Sequence, residues 1–160
     1  MALKRRVVTT GFNYRMTKPQ LAVGVTQLAK AGRIISGKLA AMARMSELLA
    51  DVPELIKPPG VERGHGAHLY VARVDSKKVR FTRDALQSHL KTKYQVGTAL
   101  HYPAVWTWEA FAEIDHDREG CPFAERACAE ALTLPIFAQS KDEDLRYVAW
   151  ALKQSVAELR

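Results

Sequence analysis

The chain is organised around one loop, Gly11-Phe12-Asn13-Tyr14-Arg15-Met16, which leads into Thr17 and the longest helical pattern in the sequence. The loop places an amide, a phenol and a guanidinium in consecutive positions. A helix N-terminus presents unpaired N–H groups and the positive end of the helix dipole, so a loop fixed there can hold an anion. Arg15 adds a planar fork of donors that suits phosphate or carboxylate. The alternative is an ordinary helix start with an exposed arginine and a packed tyrosine, and the chemistry alone favours that alternative.

Beyond this loop, apolar or small residues recur every three or four positions, which predicts a helix that ends near Asp51, before Pro53. At 1.5 Å per residue it would be a rod of roughly 50 Å. Gly32 and Gly37 weaken its middle and allow a bend or a break there. A helix of this length either crosses between lobes or mediates dimerisation, and residues 17–52 are assigned to it. The repeat consists of Leu21, Val25, Leu28, Gly32, Ile35, Leu39 and Met42.

Residues 53–160 predict a small α+β domain with the element order β-α-β-α-β-α. The strands are expected at 68–74, 95–101 and 132–137, and 105–119 is expected to be a loop anchored by Trp106 and Trp108. The predicted fold is therefore α+β: a long N-terminal helix followed by a small three-stranded sheet with helices packed on one face. The predicted helix starts are Thr82 as a cap, Pro122, and a capping box at Ser140-Lys141-Asp142-Glu143.

The bulk composition describes a globular chain. Its 160 residues fit one domain or one lobe of a larger assembly, and 48% are hydrophobic while 26% are charged. No apolar run approaches the roughly 18 residues of a membrane span. Residues 1–6 are basic, but the stretch after them is too short and too polar for a signal peptide. We expect a cytoplasmic chain without a membrane segment, in which residues 1–16 form a basic lead-in and the loop.

The net charge favours anionic partners. Lysine and arginine number 24 and aspartate and glutamate 17, which leaves 24 − 17 = +7. A positive net charge is compatible with three classes of partner: nucleic acid, nucleotide-bearing substrates and phosphorylated cofactors. The cations are scattered apart from short clusters at 4–6 and 77–80. A scattered distribution indicates a solvated surface, so nucleic acid is the least favoured of these partners.

No metal site is predicted. His65 and His68 have a two-histidine spacing, but no third ligand accompanies them. Cys121 and Cys128 would lie about 10 Å apart along a helix, which is beyond the reach of a disulfide. Both cysteines are expected to be reduced thiols, with Cys128 buried.

No catalytic residues are predicted either. Ser88-His89-Leu90-Lys91 matches the S-x-x-K pattern of serine acyl enzymes, but its companion motifs are missing and it lies on a plain amphipathic helix. Asp115-His116-Asp117 could supply an acid or a base, and a solvated charged loop is the better interpretation. The sequence therefore contains no self-sufficient catalytic arrangement.

Six segments, taken in order, resemble the C-terminal half of the DegT/DnrJ/EryC1/StrS aminotransferases. These are pyridoxal-phosphate (PLP) enzymes of fold type I that usually aminate keto-sugars attached to nucleotides. The resemblance covers about residues 11–157. The segments are residues 11–16 with 20–28, His68-Leu69-Tyr70-Val71, Arg83-Asp84-Ala85-Leu86, residues 96–103, residues 121–126, and residues 132–137.

The resemblance implies roles for individual residues. In the family, the asparagine of the N-Y-R loop reaches the cofactor phosphate of the neighbouring subunit, a role that would fall to Asn13. Arg15 would stand close by in a supporting or substrate-binding position. His101 and Tyr102 match the family segment near the sugar-nucleotide pocket and are the implied substrate contacts.

One departure from the family changes the expected function. Family members are well over twice this length, and their N-terminal large domain carries the Schiff-base lysine, the aspartate that faces the pyridine nitrogen and the aromatic residue stacked on the ring. The chain is thus expected to be a small domain that is inactive alone and binds PLP only with a partner large domain. The alternatives are a subunit of a split aminotransferase that acts in trans and a basic nucleic-acid or nucleotide-binding module. A homo-oligomer formed through the long helix and the Trp106/Trp108 loop is also expected.

Overall fold

The computed structural model describes residues 12, 14–60, 64–114 and 121–160. The chain divides into two compact units, Met1–Gly32 and Arg33–Arg160. Within the described residues, five α-helices and one three-stranded sheet confirm the predicted α+β class. In chain order the elements are α1 (Lys18–Leu28), α2 (Ala31–Leu48), β1 (Leu55–Ile56), β2 (Tyr70–Val74), α3 (Arg83–Tyr94), α4 (Pro122–Glu130), β3 (Ala131–Leu134) and α5 (Asp142–Leu159), with 3-10 turns at Val105–Thr107 and Glu109–Phe111.

The predicted long helix is two helices. α1 ends at Leu28, and α2 begins at Ala31 after a turn. The turn forms because the N–H of Lys30 bonds to the carbonyl of Gln27 at 3.0 Å, which tightens the last turn of α1. The break lies two residues before Gly32, one of the two glycines at which the sequence allowed it. All eleven residues of α1 are exposed, including the apolar ones.

The sheet is antiparallel throughout, with the strand order β1-β2-β3. Its first strand, β1, is not among the strands that the sequence predicts. The strand predicted at 95–101 is wrong: Ala99 makes one isolated bridge to Thr133, with N···O distances of 3.2 and 2.8 Å. Gln95 explains the difference, because its left-handed backbone (φ 54°) turns the chain at the point where the strand would begin.

The hydrophobic core lies in the second unit. Tyr70, Ala72 and Val74 of β2 alternate with half-exposed neighbours, so one face of this strand is the more deeply buried. The hydroxyl of Tyr70 meets that of Ser46 at 3.0 Å, which gives the buried phenol a partner. The same core contains apolar side chains from three helices: Met42 and Met45 of α2, Leu86 and Leu90 of α3, and Leu145 and Leu152 of α5.

The helix starts follow the local sequence in two cases of three. Thr82 caps α3, because its hydroxyl accepts a hydrogen bond from the N–H of Ala85 at 3.2 Å. Pro122 opens α4 as predicted. The start of α5 differs from the prediction: Lys141 takes the N-cap position. The hydroxyl of Ser140 instead accepts a hydrogen bond from the N–H of Phe137 at 2.8 Å and so closes the preceding turn.

The cysteines are both free. Cys121 is exposed and Cys128 is half-buried, so the expectation of a buried Cys128 is wrong. In the part of the chain that the structure describes, none of the helices combines the length and the apolar content that crossing a membrane requires.

Candidate functional site

A cleft of about 350 Å³ opens beside β3 in the second unit. Its wall is built by the chain from Gly97 to His101, which the Ala99 bridge holds against Thr133 of β3. The side chain of Gln87 on α3 steadies the same segment, because its amide donates to the carbonyl of Thr98 at 3.1 Å. Strand pairing and one helix contact therefore position this wall. The rest of the lining consists of His68, Leu69, Leu134, Pro135, Ile136 and Phe137.

Of the two residues implied to contact substrate, His101 lines this cleft and Tyr102 follows it in the chain. Nδ1 of His101 is 3.0 Å from the hydroxyl of Thr133. This bond fixes the orientation of the imidazole ring. The ring of Tyr102 packs edge-on against the ring of His101, with centroids 5.2 Å apart, and Tyr102 is 63% exposed. An oriented imidazole next to an accessible phenol can hydrogen-bond the hydroxyl groups of a polar ligand.

Sequence reasoning missed two hydroxyl groups at this site. Thr133 is 7% exposed and lies within the fully buried strand β3. The Oγ1 of Thr98 is buried and has no hydrogen-bond partner among the described residues. The only signal for Thr133 in the sequence is a hydroxyl within the apolar run Leu132-Thr133-Leu134. For Thr98 the sequence offers no comparable signal, since its position depends on the bridge next to it.

The residues implied to hold the cofactor phosphate belong to the first unit. Asn13 lies outside the described residues, so its role stays a prediction. Arg15 is exposed and stands two residues before Thr17, the N-cap of α1. The N–H of Thr17 donates to Oε1 of Gln20 at 2.8 Å, so the start of the helix is fixed by its own sequence.

Hydrogen bonds connect the two-histidine stretch to its own loop and to α2. Nδ1 of His65 accepts a hydrogen bond from the N–H of Ala67 at 3.0 Å, and the carbonyl of His68 accepts one from Nζ of Lys38 at 3.1 Å. Throughout the described ranges, no group of three histidine, cysteine or acidic side chains is arranged to hold a metal ion.

The S-x-x-K stretch joins two helices. Nδ1 of His89 is 3.1 Å from the hydroxyl of Ser155, and Nε2 is 3.2 Å from Glu158, so α3 is linked to α5. Lys93 also contacts Glu158, and its hydrogen bond is the main reason that the pKa of this carboxyl is lowered. Ser155 is completely buried, whereas Ser88, the serine of the pattern, is exposed. This network holds the helices together.

The chain belongs to the DegT/DnrJ/EryC1/StrS aminotransferase family, whose model matches residues 2–153. The family is PLP-dependent. Solved structures with the same fold support this assignment. The aminotransferase TlmJ from Streptoalloteichus hindustanus is 26% identical, with a TM-score of 0.73 over 87% of this chain. S. venezuelae DesV, in complex with a ketimine intermediate, is 27% identical, with a TM-score of 0.78 over 95% of this chain.

A third similar structure is that of DesI in the presence of its TDP-sugar product. It is 25% identical, with a TM-score of 0.77 over 87% of this chain. The chain spans 36% of TlmJ, 40% of DesV and 35% of DesI. It therefore matches well under half the length of these aminotransferases.

Proposed function

We propose that this chain supplies the sugar-contacting part of a PLP-dependent nucleotide-sugar aminotransferase and is inactive until the large domain is supplied. The observation that carries the proposal is the cleft that His101 lines, where Thr133 orients the imidazole and the exposed ring of Tyr102 packs against it. Family membership supports the reaction class, and the TDP-sugar named with DesI supports the substrate class. The chain's match to only 35–40% of its structural relatives supports the need for a large domain.

The chemistry of the N-terminal loop fits the cofactor's phosphate. Arg15 is exposed just before the N-terminus of α1, where first-turn N–H groups favour an anion. When bound, PLP would carry the amino group between donor and keto-sugar. Asn13 and Arg15 would contact the phosphate of the cofactor, and His101 and Tyr102 would orient the sugar through its hydroxyl groups.

The reaction itself provides the test of inactivity. The chain would be incubated with PLP and an amino donor and then treated with borohydride, and we expect neither turnover nor a reduced lysine adduct. A stable adduct together with consumption of the donor would refute the claim that the chain is inactive alone.

Co-production with a large aminotransferase domain provides the test of assembly. We expect amination of a keto-sugar nucleotide to appear with the pair and to fall when His101→Ala is introduced. Asn13→Ala should lower the affinity of the pair for PLP, because a contact with its phosphate is lost. Trp150→Ala, on α5 at a side chain that is 48% exposed and contacts only the rings of Tyr94 and Tyr147 among the aromatic pairs, is the control and should leave both readouts unchanged. Wild-type kinetics and cofactor affinity in His101→Ala and Asn13→Ala would contradict the assignment of these residues.

A further inference from the structure

A larger cleft, of about 540 Å³, runs along helix α3 and is called the α3 cleft below. One wall consists of four polar side chains spaced at i, i+3, i+4 and i+7, which places them on one face of the helix. Small-molecule sites commonly enclose roughly 300–1,000 Å³, so the cleft has room for such a ligand. The four side chains are Asp84, Gln87, Ser88 and Lys91, and the other wall is Gly97 and Thr98.

Hydrogen bonds fix both walls of the α3 cleft. The chain turns back after α3, and the N–H of Val96 donates to the carbonyl of Leu90 at 3.0 Å. The amide of Gln87 donates to the carbonyl of Thr98 at 3.1 Å, which joins one wall to the other. Gly97 has nothing within 4 Å of the position that a Cβ would take, so the cleft is open there. A ligand would meet a preformed surface, which reduces the entropic cost of binding.

A carboxylate lies at one end of the α3 cleft. Oδ1 of Asp84 is 2.6 Å from Nε of Arg83. Arg83 is itself held, because its side chain is 10% exposed and its Nη1 donates to the carbonyl of Ala131 at 2.9 Å. The side chain of Asp84 is 76% exposed, so the carboxylate is anchored by Arg83 and still open to a ligand. A carboxylate has several acceptor positions and can receive a further hydrogen bond from an ammonium group.

Lys91 provides the opposite charge at the other end of the α3 cleft. It follows Asp84 by seven residues, which is about 10.5 Å along the helix axis. Lys91 is exposed and has no ion-pair partner among the described residues. Between the two charges, the hydroxyl of Ser88 and the side-chain carbonyl of Gln87 are neutral hydrogen-bonding groups. One charge of each sign at opposite ends disfavours a ligand that is only anionic or only cationic.

We propose that the α3 cleft binds a linear zwitterion, whose ammonium contacts Asp84 and whose carboxylate contacts Lys91. Two charge-assisted hydrogen bonds of about 2.8 Å each leave about 5 Å between the charged ends of the ligand. A medium-length ω-amino acid has this form, and so does a dipeptide, whose two residues span at most about 7 Å. The inference does not rest on the proposed function, because neither the sugar contacts nor the cofactor loop takes part in it.

Titration of the chain with ε-aminocaproate and with glycylglycine, followed by two-dimensional amide NMR, tests the inference. Both probes should bind and shift the amide signals of Gly97 and Thr98. Caproate lacks the ammonium group, and glycine is too short to reach both ends of the cleft. Each should bind roughly 1.4- to 5-fold more weakly than the probes, the range that corresponds to the loss of one exposed ion pair.

Variants at the two ends locate the site. Asp84→Asn and Lys91→Gln should each weaken the binding of both probes by that same factor, and the double variant should show the two losses combined. Glu125→Gln is the matched control for the acid, since Glu125 also lies exposed in the first turn of a helix. Lys77→Gln is the control for the lysine, at an exposed position in the turn after β2. Both controls should keep wild-type affinity.

Ser88→Ala distinguishes the two sources of ligand. Glycylglycine has an amide that can bond to the Ser88 hydroxyl, whereas ε-aminocaproate has only methylene groups between its charges. Weaker binding of glycylglycine alone in this variant would support a peptide. Tighter binding of ε-aminocaproate than of glycylglycine by the wild-type chain would support an ω-amino acid.

Three results would overturn the inference. They are no binding of either probe at millimolar concentration, caproate binding as tightly as ε-aminocaproate, and wild-type affinity in the double variant of Asp84 and Lys91. Thermal unfolding of each variant verifies that the fold is intact. All of these measurements use the chain alone, so their outcome is separate from that of the aminotransferase test with the assembled pair.

Discussion

The hydroxyl of Thr133 is the residue-scale feature on which the site depends, because it orients the ring of His101. Thr133→Val keeps the shape of the side chain and removes this hydroxyl. We expect the KM of the assembled enzyme for its keto-sugar to rise, while Thr133→Ser, which retains the hydroxyl, stays close to wild type. The lost hydrogen bond should lower the free energy of unfolding by about 0.5–1.5 kcal/mol. Equal KM values for the two variants would show that the bond does not position His101 for substrate.

Gln95 offers a second test at this scale. It ends α3 in the left-handed conformation (φ 54°), which costs a non-glycine residue roughly 1–2 kcal/mol. Gln95→Gly should raise the free energy of unfolding by about 0.5 kcal/mol, because the relief of strain exceeds the added entropy of the unfolded chain. Gln95→Val, whose branched side chain suits this conformation poorly, is the opposite control and should destabilise. Urea denaturation measures both, and a loss of stability in Gln95→Gly would contradict the explanation.

Helix α2 can pack closely against the turn after β3 because Gly37 has no side chain. A Cβ there would meet the carbonyl oxygen of Ala138 at 2.3 Å, so Gly37→Ala should destabilise by about 1–3 kcal/mol. Gly32 lies in the same helix and has nothing within 4 Å of the corresponding position. Gly32→Ala should therefore be neutral or stabilising by up to about 1 kcal/mol. Equal unfolding midpoints for the two variants would refute the close contact.

Asp142 links two helices through charge. It accepts hydrogen bonds from Arg44 of α2 at 2.6 Å and from Arg146 of α5, and these lower its pKa to about 2. Because the folded-state pKa lies below the ordinary value of 3.8, the contribution to stability is complete above that value and is lost as the pH falls towards 2. Urea midpoints of wild type and Asp142→Asn should thus differ at pH 6 and converge at pH 2. A constant difference across this range would contradict the linkage.

At the scale of elements, the sequence predicted the helices and strands whose formation depends on neighbouring residues in the chain. α3 has its own cap at Thr82 and its own apolar pair, and β2 alternates buried and half-buried residues. The strand at 95–101 could not be corrected from sequence, because a non-glycine residue in the left-handed conformation has no clear local signal. β1 has two residues, and its pairing with β2 is non-local. The family resemblance indicates His101 and Tyr102. The role of Thr133 could not be predicted in the same way, because it depends on which side of β3 faces the cleft.

For the whole molecule, α1 in the first unit and the 105–114 segment in the second each present apolar side chains that the expected homo-oligomer could use. The side chains of α1 are exposed, and Val105, Trp106, Phe111 and Ile114 line an apolar cavity of about 270 Å³. Sedimentation should show self-association at micromolar concentration, since exposed apolar patches mark interaction surfaces. Val25→Lys introduces a charge on α1, at a residue that is 69% exposed, and should shift the distribution towards monomer. A wild-type monomer over this concentration range would contradict the expectation.

The exposure of α1 also affects the expected abundance of this protein in a cell. A chain that presents the exposed apolar side chains of such a helix is a substrate for chaperones and proteases until a partner covers them. Covering α1 would therefore lengthen the lifetime of this chain in a cell, apart from any effect on catalysis.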